Sequence, residues 1–149
     1  MASRTRNSGT DWLAQCAPDP ARAHRRWASD ELAPIPAGLH WLVAEADLMR
    51  SITAMQRVGS RRLGPVLVHP ETHRAWWLVP LGADEEFADI QALTVRLGPW
   101  TLNCPPAHAY MAGRGWLEKP DGSGRLTDPV ALGAAFSPGG WRPPAEAFV

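Results

Sequence analysis

Between Leu39 and Leu97 the chain is divided into short apolar runs of two different periods, and their order constrains the fold most. "LHWLVAEA" (39–46) is dense enough in apolar residues to be a buried strand. "DLMRSITAMQRV" follows at once, with Leu48, Ile52 and Met55 spaced for one helical face. Asp47 stands where that helix needs its N-cap, and Gly59 where it must end. "GPVLVHP" and "HRAWWLVP" read as two strands joined by "PET", a connection of hairpin length. "GADEEFADI" reads as a short helix with its carboxylates in the first turn, and "ALTVRL" as a fourth strand.

The resulting β-α-β-β-α-β order over residues 39–97 predicts an α+β fold with split βαβ topology, as in ferredoxin-like and RNA-recognition-motif-like domains. At 149 residues the chain is expected to form one domain, 1–149. Residues 1–9 are small and polar and predict a disordered lead; residues 10–33 predict two N-terminal helices. Thr10 would cap the first, which carries Trp12, Leu13 and Cys16. Asp19 and Pro20 would open the second, running to about Leu32 until "APIPAG" breaks it. Residues 98–149 predict an irregular or edge segment, a C-terminal hairpin turning at "DGSG", and a helix capped by Thr127 or Asp128. A Pro-rich tail then lies over the surface, held by Trp141 and Phe148.

Net charge is zero, so no global field recruits nucleic acid or an anionic membrane. The N-terminus has no apolar signal region, and "AWWLVPLGA" is too short to span a bilayer, so the expectation is a cytoplasmic chain without membrane attachment. Cys16 and Cys104 are then expected to stay reduced. Fourteen of the fifteen basic residues are Arg, a bias suggesting a GC-rich genome such as an actinobacterial one. The eight tryptophans read as core and rim.

In the strand "HRAWWLVP", Arg74, Trp76 and Leu78 share one face, and Ala75, Trp77 and Val79 the other. One tryptophan must therefore belong to the core under the helices. The opposite face is where RNA-recognition-motif relatives stack bases, which makes Arg74 and Trp76 the candidate ligand-binding residues. The first two helices or the C-terminal hairpin could cover that face, and their own tryptophans need burial, which favours covering.

The stretch "HWLVAEAD…RLGPVLVHPETHRAWWLVPLGADEEFADI", within a match from about Leu39 to Lys119, resembles the later half of actinobacterial bifunctional DNA primase/polymerase-like domains. The likeness lies in a strand ending in acidic residues before a helix, a "LGPV" strand, a "RAWWLVP" strand and an acidic helix. It implies a palm whose carboxylates hold two divalent metals against a triphosphate. Glu45 and Asp47 stand at the positions of the paired acids and are the candidate metal ligands. The position matching the family's phosphate-contacting histidine is Ala75, and neither "ALTVRL" nor "WTLNCP" supplies a third carboxylate. The resemblance thus implies a degenerate palm without catalytic residues. Its expected role is a non-catalytic binding or regulatory module that needs no cofactor, with nucleic acid or another protein as partner.

The alternative is a metal-dependent nucleotide-handling enzyme using Glu45 and Asp47 with magnesium or manganese. A helix cap and a solvated strand end explain the same two acids more simply. A third reading is a protein-interaction adaptor docking through its Pro- and Trp-rich tail. His69, His73, Cys104 and His108 could suit zinc only if the fold gathered them, and their spacing matches no familiar zinc framework. Cys104 between a strand and two prolines has no activating base in view, and "PDGSGR" lacks the spacing and Lys of a phosphate loop.

Overall fold

The structure, a computed structural model, describes residues 2–137, with side chains from Ser8 onward. It is a mixed α+β fold. Helices α1 (Ala2–Gln15) and α2 (Pro20–Ala28) come first, followed by strand β1 (Ala33–Pro36), strand β2 (Leu42–Asp47) and helix α3 (Leu48–Val58). Strands β3 (Val66–His69) and β4 (Arg74–Val79) form a hairpin; β5 (Thr94–Arg96), β6 (Thr101–Cys104), β7 (Gly115–Glu118) and helix α4 (Pro129–Phe136) complete the order. The main sheet runs β5-β2-β4-β3-β7 with every neighbouring pair antiparallel. A separate two-stranded ribbon pairs β1 with β6, Ala33 opposite Cys104 and Pro36 opposite Thr101.

The sheet is buried on both faces, as the unbroken apolar run of β4 requires. Ala75, Trp77 and Val79 face a core closed by Ala54 and Val58 of α3, Phe87, and Leu132 and Phe136 of α4. Trp76 and Leu78 face a second core built from Leu13 of α1, Trp27 of α2, Trp41, and Ile35 and Leu102 of the ribbon. Burying indoles on both sides is affordable only if each N–H finds an acceptor. Trp77 donates to Ser51 Oγ at 3.0 Å, Trp27 to the Cys104 carbonyl at 2.8 Å and Trp41 to Cys16 Sγ at 3.3 Å. Among the described residues no buried side-chain polar atom lacks a partner.

Three of the expected caps are in place, while Thr10 lies inside α1 and accepts from the Ala107 N–H instead. Asp19, Asp47 and Asp128 accept from the backbone N–H groups of Arg22, Arg50 and Ala131 at 3.2, 3.0 and 3.0 Å. Thr127 instead accepts from the buried Gly64 N–H at 2.9 Å and so ties the segment before α4 to the start of β3.

Several local expectations are corrected. Helix α1 reaches back to Ala2 rather than starting at Thr10. The 120–122 loop packs against its middle: Ser8 Oγ donates to the Asp121 carbonyl at 3.2 Å, and Gly9 abuts the Pro120 carbonyl. Helix α2 stops at Ala28, short of Leu32, because Asp30 turns left-handed and Arg26 Nε donates to the Leu32 carbonyl at 2.7 Å. "APIP", read as a helix breaker, is strand β1; a proline needs no ladder donor on the edge of a two-stranded ribbon. The "ADEEF" segment is a single 3₁₀ turn, Ala83–Phe87, not an α-helix.

The expected C-terminal hairpin is not seen: β7 pairs with β3, and among the described residues no returning strand follows it. Asp121 Oδ1 accepts from both the backbone N–H and the hydroxyl of Ser123, so "DGSG" closes on itself, and Thr127 N–H bonds the Leu78 carbonyl. The proposed tail contacts of Trp141 and Phe148 lie outside the described residues. No helix among the described residues is long and apolar enough to cross a membrane.

Candidate functional site

The register of three strands gathers charge at one end of the second core. Glu45 on β2 lies opposite Trp76 on β4 and Thr94 on β5, while Arg74 lies opposite Asp47 and Arg96 opposite Val43. Alternation puts Glu45, Arg74, Trp76 and Arg96 on one face. Glu45 Oε1 accepts from Trp76 Nε1 at 3.1 Å and from Arg96 Nε at 3.2 Å; Oε2 is 3.7 Å from Arg74 Nε. The Glu45 side chain is only 15% exposed, and these contacts offset part of what burial costs its charge.

A third guanidinium arrives from a distant segment. Met111 and Arg114 exchange both backbone hydrogen bonds across a tight turn in which Ala112 and Gly113 have positive φ. That turn lays the Arg114 guanidinium over the Trp76 ring at 4.5 Å, with NH1 donating to the Asn103 carbonyl at 3.0 Å. Burial lowers the pKa of Arg114, an effect that nearby Cys104 and Glu45 oppose. Arg96 is likewise placed over a ring, 5.4 Å from the Trp100 centroid. Two guanidiniums thus contact the Glu45 carboxylate while a third lies over Trp76, and positive charge is left over.

The sequence-predicted residues fall as follows. Arg74 is the open member, with its side chain 52% exposed. Trp76 is 6% exposed, its N–H given to Glu45 and its ring face to Arg114, so stacking a base there would require Arg114 to leave. Asp47 caps α3 through Oδ2. A metal bridging Glu45 and Asp47 would have to displace Arg96, Trp76 and the cap together. Ala75, the position matched to the family histidine, is fully buried on the opposite face, turned toward α3 and α4.

Among the described residues no three His, Cys, Asp or Glu side chains are grouped so as to hold a metal ion. His69 bonds Thr72 Oγ1 through Nδ1 at 2.7 Å, and His73 closes the β3–β4 turn in the left-handed region. Cys104 is fully buried, and desolvation pushes its thiol pKa far up, against the pull of Arg114. No thiolate nucleophile is available there.

Arg96 and Arg114 escaped the sequence reading for different reasons. The alternation of "TVR" could have set Arg96 on the face of Glu45 once β5 was paired beside β2. Arg114 had no such signal, because only the 111–114 turn aims it. No protein-family model matches the chain, and no curated protein and no solved structure is significantly similar to it.

Proposed function

We propose that the chain is a non-catalytic binding module built on a primase/polymerase-like palm, with the basic end of the sheet as its binding surface. The observation that carries this reading is the state of Glu45. In a working palm this carboxylate would be held ready for a divalent ion; here two arginines and an indole N–H occupy it. The strand order supports the palm topology, because the β2–β3 and β4–β5 connections each step over one strand. Residues of α3 and of the 83–87 turn enter the same core. Under this reading the partner is nucleic acid met through its phosphates, and the site needs neither metal nor other cofactor.

The test is an anisotropy titration of labelled single-stranded and duplex DNA and RNA at low and moderate salt, followed also by tryptophan fluorescence. Salt-sensitive binding is expected, and Arg74→Ala should weaken it and reduce the logarithmic salt slope by about one phosphate contact. Absence of binding even at low salt would remove nucleic acid as the partner.

A further inference from the structure

We infer that the terminal nitrogens of Arg74 and Arg96 form a recognition site for a phosphate oxyanion, and that Glu45 both anchors the two arginines and sets the ligand's affinity through its charge. The inference rests on the binding-module reading and adds the ligand group and the residue that sets its affinity. It starts from which guanidinium atoms are committed. Arg74 and Arg96 both approach Glu45 most closely through Nε. Their NH1 and NH2 groups make no hydrogen bond among the described residues, and the two side chains are 52% and 37% exposed.

An arginine anchored by Nε presents its remaining donors as a fork, the geometry that suits phosphate and carboxylate oxygens. The anchoring also removes much of the entropy cost of holding the fork still, and the Arg96–Trp100 contact adds to it. Arg114 adds a further positive charge over Trp76. Acidic groups near the site are Glu45 and Asp47, and the Asp47 carboxylate faces the N-terminus of α3. The Glu45 charge is therefore the main repulsion that an incoming phosphate would meet. It is also what holds both arginines in place.

Glu45→Gln removes the repulsion while its amide oxygen still accepts from Trp76 Nε1 and Arg96 Nε; only the Arg74 Nε contact, on the other oxygen, is given up. The experiment is isothermal titration, in the presence of a chelator, of inorganic pyrophosphate and of a short unphosphorylated oligothymidylate into wild type, Glu45→Gln, Arg74→Glu and Arg96→Ala. Glu45→Gln is expected to tighten binding about tenfold, a modest Coulombic change for a partly screened site. Arg74→Glu should abolish binding. Thermal melting of each variant reports folding, and Arg74→Glu, at an exposed position, keeps the test decisive if Glu45→Gln does not fold.

Tightening toward both ligands supports the inference. Tightening toward pyrophosphate alone supports it with a terminal phosphate as the source, and toward the oligonucleotide alone with a phosphodiester. Binding of neither ligand to any variant overturns the inference, as does binding that Glu45→Gln or Arg74→Glu leaves unchanged. Salt-sensitive nucleic-acid binding that ignores both substitutions would sink this site and leave the binding module standing. Metal-dependent nucleotide binding would sink the module itself.

Discussion

Trp77→Ala is expected to destabilise the protein by about 3–5 kcal/mol, the cost of truncating a large buried aromatic residue. That is a large part of the roughly 5–15 kcal/mol available to an ordinary domain, so the variant should be at the edge of folding. Trp77 is fully buried in β4, which pairs with both β2 and β3. Its ring meets Phe136 of α4 edge-on at a centroid distance of 5.9 Å, and its N–H holds Ser51 of α3. Truncation empties the joint between the sheet and two helices at once. Trp77→Phe should cost less, because it retains most of the apolar volume while leaving the Ser51 hydroxyl without its donor. Urea unfolding followed by circular dichroism gives both values. A loss below about 1 kcal/mol for Trp77→Ala would mean that this core is not packed as described.

Gly9→Ala is the second large effect, and its sign is informative. Inside a helix, Gly→Ala normally stabilises by up to about 1 kcal/mol. Here the new Cβ would run into the Pro120 carbonyl oxygen and lie 2.7 Å from its carbon, both backbone atoms. Either α1 or the 120–122 loop must move. The neighbouring Ser8–Asp121 bond and the bond from Ala107 N–H to Thr10 Oγ1 would be strained with it. The expected outcome is a loss of about 1–3 kcal/mol, the usual range for overpacking. A stabilised Gly9→Ala protein would show that α1 does not dock against this loop.

What could be read from the sequence was local chemistry. Asp19 and Asp128 before prolines, and Asp47 before a periodic apolar run, each became a cap. Alternation along β4 separated Trp76 from Trp77 correctly, because a strand with two covered faces must send successive indoles into different cores. The misread segments depended on partners far away in the chain. "APIP" is a strand only because β6 lies beside it, and β7 joins β3 although "DGSG" carries the signals of a hairpin turn. Helix α1 is not legible before Thr10 because its middle packs on a loop more than a hundred residues later.

The candidate site shows the same division. Arg74 could be singled out from its strand position, and Glu45 and Asp47 from the primase/polymerase-like resemblance, but what Glu45 does depends on Arg96 and Arg114. Those arrive through a strand pairing and a positive-φ turn that no local pattern specifies. An acid pair that could suggest a metal site in sequence is, in three dimensions, one arginine-held carboxylate and one helix cap.

In the proposed module Glu45 is committed to arginine and not to a catalytic metal. Manganese binding followed by electron paramagnetic resonance, with and without a nucleoside triphosphate, tests it most directly. Asp47→Asn serves as the control, because Asn caps a helix about as well as Asp while removing the charge. Wild type and Asp47→Asn are expected to show the same manganese signal as nucleotide alone. A protein-bound manganese signal that requires nucleotide and disappears in Asp47→Asn would contradict it.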